Sequence, residues 1–169
     1  MLCLSGTIEY IIRDVDGSVL ESGSFKNGVT TEGLTEAANI LYGATAKNTS
    51  IYTAPITYVA TLALASADTA SSHAGWTEST AYSESVRQTL TFGAASGGTI
   101  TSSYVTITMN ATADLAGAFF ITNSTKGGTT GTLIATGLFN STVATSKRSL
   151  LSGQTFQWRY IVNITGGST

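Results

Sequence analysis

The side chains of this sequence that could do chemistry are few and widely spaced. His73 is the only histidine, and it lies in a segment rich in serine. A hydrolase would use such a histidine as the general base for a serine nucleophile, with a carboxylate to orient it. The sequence lacks the G-x-S-x-G pattern that presents such a serine. We therefore expect His73 to be a hydrogen-bonded structural residue.

Three carboxylates near His73 could be imagined as the paired acids of a glycosidase, namely Asp68, Glu78 and Glu84. Such chemistry depends on the separation of the two carboxyl groups, which the sequence does not set. The simpler prediction is a solvated or ion-paired role, for example Glu84 with Arg87. Asp68 and Asp114 are too isolated to form a calcium loop of the EF-hand type.

The remaining binding motifs are incomplete. Cys3 is the only cysteine, so one Cys and one His cannot form a zinc site, and no internal disulfide is possible. Residues 126–131 have the glycine content of a phosphate-binding loop but lack the order G-x-x-x-x-G-K-[ST], and no helix follows them. We predict no catalytic residue, cofactor or metal ion, and hence a protein that is not an enzyme.

Aromatic and outward-facing side chains are the candidates for partner contact. Trp76 could stack on a sugar ring or dock against a partner, and Tyr82 follows it closely. The alternative is that Trp76 packs back onto its own core. Ile11 and Arg13 lie on the outward side of the first predicted strand, so they complete the set of candidate contacts.

The composition indicates a single domain, residues 1–169, that is rich in β-strands. It holds 30 Thr and 20 Ser but only 11% charged residues, and β-branched Thr favours strands. A net charge of −2 and a pI near 5.2 argue against nucleic acid and against an anionic membrane surface. The first residues resemble neither a secretory signal nor a transmembrane span, so we expect synthesis in a cytoplasm.

The start of the chain predicts an N-terminal hairpin over residues 5–26, which could serve as a docking arm. Alternation sends these residues to one face: Ile8, Tyr10 and Ile12. Asp16 and Gly17 suit a tight turn, and the returning strand is predicted to bury Val19 and Phe25.

One helix is predicted over residues 31–42. Thr30 or Thr31 can cap it, and Gly43 marks its end. Its apolar face is formed by Leu34, Ala37, Ala38 and Leu41. We expect this face to lie over an open side or edge of the sheet. Residues 43–55 then indicate a loop closed by the sole proline, Pro55.

Residues 56–165 predict the body of a β-sandwich. The predicted strands are 56–65, 80–92, 101–110, 115–122, 133–139 and 156–164. The last is the clearest, because five large side chains alternate on one face: Phe156, Trp158, Tyr160, Val162 and Ile164. The fold class is therefore mainly β, an antiparallel β-sandwich or jelly-roll-like barrel with one short helix and an N-terminal hairpin.

Two blocks of the sequence resemble a family of small β-rich virion proteins of tailed bacteriophages. The first contains SHAGWTE at residues 72–78, AYSE at 81–84, Arg87 and FGAASGG at 92–98. The second contains GAF at 117–119 and STKGGTTGTL at 124–133. With the segment KNGVT at 26–30 and the helix after it, the similarity spans about residues 26–165.

The resemblance implies a structural role on the capsid surface of a virion. It suggests a decoration or cement protein that binds the outer head and bridges neighbouring major capsid proteins, with a homotrimer as the first expectation for its assembly. An exposed edge of the terminal hairpin could add to a neighbour's sheet. The alternative is a tail, neck or fibre component that binds a host glycan through Trp76 and Tyr82.

Overall fold

The computed structural model describes residues 2–44, 46, 50–71 and 76–166. Within them the fold is mainly β and antiparallel, with one α-helix, which confirms the coarse fold class. The strands form one continuous sheet that curls into a half-barrel.

Ten strands and the helix follow one another along the chain. They are β1 (Leu2–Arg13), β2 (Val19–Val29), α1 (Thr31–Leu41), β3 (Ile51–Thr57), β4 (Gln88–Leu90), β5 (Thr99–Thr101), β6 (Val105–Thr108), β7 (Ala113–Ile121), β8 (Leu133–Leu138), β9 (Arg148–Leu150) and β10 (Thr155–Gly166). A short 3₁₀ turn, Val143–Thr145, precedes β9. The order across the sheet is β4-β3-β7-β8-β2-β1-β10-β5, with β6 also paired to β10 and β9 to β7.

The predicted hairpin forms, and it is an integral part of the sheet. β1 pairs with β2 on one side and with β10 along its whole length on the other. Gly17 has φ 85° in the turn, a conformation that glycine adopts without steric cost. Phe25 is buried as predicted, but Val19 is 53% exposed. The register shift between Ile12 and Arg13 accounts for this difference, because it breaks the alternation at the turn.

The core lies on the concave side of the curled sheet. Strands far apart in the sheet order meet there: Trp158 on β10 donates its Nε1 hydrogen to Thr53 Oγ1 on β3 at 2.9 Å. The rings of Phe120 and Tyr160 stack with centroids 4.0 Å apart. β10 extends beyond this core, so Ile164, which was predicted to be buried, is substantially exposed.

The segment around Pro55 contradicts the sequence prediction. Residues 51–57 form β3, whereas a loop was predicted up to Pro55 and a strand only after it. Pro55 fits within the strand because its carbonyl, and not its absent N–H, makes the outward bond, accepting from Ser79 N at 2.9 Å. Residues 58–65 are irregular, since the Leu62 N–H bonds locally to Val59 O at 3.0 Å.

Other predicted strands are shorter than expected. Of residues 80–92 only β4 is a regular strand, residues 101–110 contain the last residue of β5 and all of β6, and β9 was not predicted. Backbone bonds from Gly93 N to Thr101 O and from Ser103 N to Thr91 O, at 3.1 and 2.7 Å, connect the two ends of the strand order. The other predicted strands correspond to β7, β8 and β10.

α1 is held at its N-terminus and not along its apolar face. Thr30 caps it by accepting the Gly33 N–H at 3.0 Å, and Glu32 accepts the Leu133 N–H at 2.9 Å. Gly33 packs so closely on β8 that an added Cβ would lie 2.2 Å from Ile134 O. The apolar face that was predicted to lie over the sheet is exposed to solvent instead.

The buried Tyr160 predicts how stability depends on alkaline pH. Burial raises the pKa of its hydroxyl to about 12, above the ordinary value near 10. Between these values the unfolded chain loses a proton that the folded chain keeps. The free energy of unfolding should therefore be unaffected by Tyr160 below about pH 10 and should fall by on the order of 2 kcal/mol towards pH 12.

Denaturant unfolding at a series of pH values measures this fall. Tyr160→Phe should make it shallower than in the wild type. A slope that is the same in both proteins would contradict the assignment.

Candidate functional site

Four polar side chains from two loops meet in one largely buried cluster. We call Glu78, Tyr82, Arg87 and Lys126 the Glu78 cluster. The first three come from the irregular segment between β3 and β4, and Lys126 comes from the glycine-rich loop between β7 and β8. The cluster therefore joins two loops that are distant in the sequence.

Glu78 is the centre of the cluster, and its side chain is almost completely buried. Its Oε2 atom accepts from Arg87 Nε at 3.0 Å and from Arg87 Nη2 at 2.8 Å, which forms a charge-assisted ion pair. The carboxylate also accepts from the Tyr82 hydroxyl at 2.9 Å and from the backbone of Gly127 at 2.8 Å. The cost of burying this charge is offset by four hydrogen bonds.

Arg87 extends the cluster to the second loop. Its guanidinium donates to the carbonyls of Asn123 and Gly128, at 3.0 and 2.6 Å, and lies 5.2 Å from the centre of the Phe119 ring. The predicted pair of Arg87 with Glu84 is wrong. Glu84 instead accepts the backbone N–H of Thr108 at 3.1 Å, because that edge of β6 offers an otherwise unpaired donor.

Lys126 turns towards its own chain. Its ammonium donates to the carbonyls of Tyr82 and Glu84, at 2.6 and 3.1 Å, and lies 3.8 Å from the centre of the Tyr82 ring. A phosphate-binding lysine would instead point into open space. Burial, and next the negative charge of Glu78, raise the pKa of the Tyr82 hydroxyl well above its ordinary range.

The geometry of the Glu78 cluster suits a structural clasp, that is, a set of contacts that holds two loops together. The Glu78 carboxylate and the Arg87 guanidinium are both buried and bonded to each other and to the chain. A general acid or base has to form a hydrogen bond with the group that exchanges the proton. The buried pair of Glu78 and Arg87 is not accessible to such a group from solvent. The geometry instead holds two loops in one position.

The other acids that the sequence singled out are separate from this cluster. Asp68 accepts the Ala65 N–H at 2.8 Å, and Asp114 contacts Lys147 and Ser149 at 2.8 and 2.5 Å. Within the described residues, no three His, Cys, Asp or Glu side chains form a group that could hold a metal ion. His73 lies outside the described residues.

The candidate contact residues occupy different environments. Trp76 is 1% exposed and packs on Phe119, with ring centroids 4.7 Å apart, and Tyr82 is fully buried. A partner could reach these two rings only if their loop opened. Ile11 and Arg13 are half-buried on β1, and Arg13 donates to the carbonyl of Gly17 in the hairpin turn at 3.1 Å.

An apolar concave surface lies between α1 and the ends of β1 and β10. We call it the helix groove, and it has a volume of about 440 Å³. Its lining consists of Leu4, Leu34, Ala37, Ala38, Ile40, Leu41, Tyr42 and Ile164. In β1, residues 2–5 pair only with β10 among the described residues, so this end of β1 also has an open strand edge.

Sequence patterns missed the main features of the Glu78 cluster and of the helix groove. The charges of the Glu78 cluster are visible in the sequence, but the pairing of Glu78 with Arg87 depends on how an irregular loop folds. For the helix groove, the apolar face of α1 was visible in the sequence and could have indicated a binding surface. The exposure of that face follows from the contact of Gly33 with β8, which the sequence does not reveal.

No family model matches the sequence, no curated protein is similar to it, and no solved structure matches the fold. The described residues contain no helix long and apolar enough to cross a membrane.

Proposed function

We propose that this chain is a structural virion protein of a tailed bacteriophage, which decorates the outer surface of the head. The observation that carries the proposal is the helix groove, an exposed apolar surface on a β domain with few charges. Exposed apolar patches of this kind mark interaction sites in soluble proteins. The resemblance of residues 72–98 and 117–133 to phage virion proteins supplies the class of assembly.

The chain would act by packing. An apolar contact with few ions avoids the cost of desolvating unpaired charge, and the open edge of β1 could bond to a neighbouring strand. The partner is the major capsid protein, whose neighbouring copies the chain would bridge and stabilise. We include a homo-oligomer in the proposal, with the trimer as the expectation from the resemblance. No catalysis, cofactor, nucleic acid or membrane is part of this role.

We also propose that the sheet belongs to the sandwich or jelly-roll-like barrel class. The bond between Trp158 and Thr53 brings β10 to β3, and the bonds between residues 91–93 and 101–103 link the two ends of the strand order. These contacts support a sheet that closes around its core.

The two blocks of the resemblance meet in the Glu78 cluster. Residues 78–87 belong to the first block and residues 124–128 to the second, and the bonds of Glu78, Arg87 and Lys126 connect them. The two segments that resemble the phage proteins therefore have a common structural role, because each holds the other in place. It supports a role in shape and not in chemistry.

Quantitative mass spectrometry of the purified particle tests the proposal. The expected result is a copy number comparable with that of the major capsid protein. A small fixed copy number would favour the alternative, a tail, neck or fibre component, and the absence of the chain from the particle would reject both.

A further inference from the structure

The exposed face of α1 has side chains in an order that matches a second copy of itself. Leu34 and Leu41 lie at its ends, with Ala37 and Ala38 between them. The order is the same when read in either direction. An antiparallel copy would therefore place Leu34 opposite the other Leu41, with the small alanines where the two helices cross.

We propose that the helix groove is a contact between two copies of this chain, related by a two-fold axis and packed α1 against α1. Closed symmetric contacts of this type are the commonest in soluble oligomers. Leu4 and Ile164, which line the groove opposite the helix, would flank the partner's helix. The inference concerns the contact between copies: it puts a two-fold dimer in place of the trimer expected from the resemblance, and it leaves the open edge of β1 for the contact with the capsid.

The exposed area fits a weak two-fold contact. Leu34 is 48% exposed, Leu41 61%, Tyr42 83% and Ile164 46%. A contact that covered all of this exposed surface would bury on the order of 1,000 Å² in total, which is about the lower limit for a specific interface. We therefore expect a dissociation constant of micromolar order.

The charge distribution favours a second copy over a charged partner. All eight side chains that line the helix groove are uncharged, whereas Glu32 and Glu36 lie on the other side of α1, beside Thr31 and Thr35. A basic or acidic peptide would find no counter-charge in the groove. Two antiparallel helices would keep these acids outside the contact and oppose their dipoles favourably.

Sedimentation velocity of the full chain at micromolar concentrations tests the contact. We expect the wild type to equilibrate between monomer and dimer. Ala38→Glu should be monomeric, because it places two carboxylates near the axis. Thr35→Glu adds the same charge to the same helix outside the groove and should still dimerise. Both substitutions suit a helix, so thermal unfolding at low concentration should show that both variants fold.

A charge-swap experiment is specific for the two-fold arrangement. Ala38→Lys alone should also be monomeric, but a mixture of Ala38→Lys with Ala38→Glu should dimerise again, because the opposite charges meet at the crossing point. A wild type that is monomeric or trimeric at all concentrations overturns the inference, as does a dimer that survives Ala38→Glu or a mixture that stays monomeric. If the chain dimerised but were absent from particles, only the virion proposal would be overturned. If it bound heads but stayed monomeric, only the two-fold contact would be overturned.

Discussion

Glu78→Gln should lower the free energy of unfolding by about 3–5 kcal/mol. The glutamine side chain has nearly the same shape and can still contact Tyr82. The substitution leaves the buried Arg87 guanidinium without its counter-charge. In the wild type the Arg87 side chain is 0% exposed and the Glu78 side chain 1%. Denaturant unfolding, followed by the fluorescence of the tryptophans, measures the loss.

A surface ion pair provides the matched control. Glu9 contacts Arg159 at 2.7 Å, but about a third of each side chain is exposed, so Glu9→Gln should cost less than about 1 kcal/mol. The double variant Glu78→Leu, Arg87→Met should recover only part of the loss. It removes both buried charges, but it also takes their partner away from the Tyr82 hydroxyl, the Gly127 N–H and the carbonyls of Asn123 and Gly128. If Glu78→Gln cost no more than Glu9→Gln, the Glu78 cluster would not be the clasp described above.

Gly117→Ala should prevent stable folding, with a loss of at least about 3 kcal/mol. A Cβ at this position would lie 1.9 Å from the carbonyl oxygen of Gly137 and 2.9 Å from the Cα of Leu138. Both are backbone atoms of β8, and β7 and β8 are hydrogen-bonded through the centre of the sheet. The clash cannot be relieved by a rotamer change, so the two strands have to separate.

Gly28→Ala is the control for the effect of alanine itself. Gly28 also lies in a strand next to β8, but its Cβ would approach no atom closer than Thr136 O at 3.9 Å. The same reduction in chain flexibility should therefore leave stability within about 1 kcal/mol of the wild type. Equal melting temperatures for the two variants would mean that the pairing of β7 with β8 is not as described.

Alternation predicted the strands that bury one face. Ile8, Tyr10 and Ile12 on β1, and Phe156 and Trp158 on β10, are buried as the period of two requires. The same rule failed after Pro55, because alternating apolar residues there lie in an irregular segment and the proline itself lies within β3. Local patterns cannot show which backbone groups find partners in distant strands.

The candidate site was harder to predict for a similar reason. Glu84 was the example predicted from the sequence as a partner for Arg87, whereas the fold turns Glu78 inward and Glu84 towards β6. The helix pattern predicted a covered face, as is usual for amphipathic helices. Gly33 holds α1 against β8 at one end, so Leu34 and Leu41 remain in solvent.

Co-sedimentation of the purified chain with phage heads assembled without it tests the assembly role most directly. The account predicts that the chain binds to saturation, in a fixed ratio to the major capsid protein, at micromolar concentrations. Heads that sediment without the chain over this range would contradict the proposal that it is a head decoration protein.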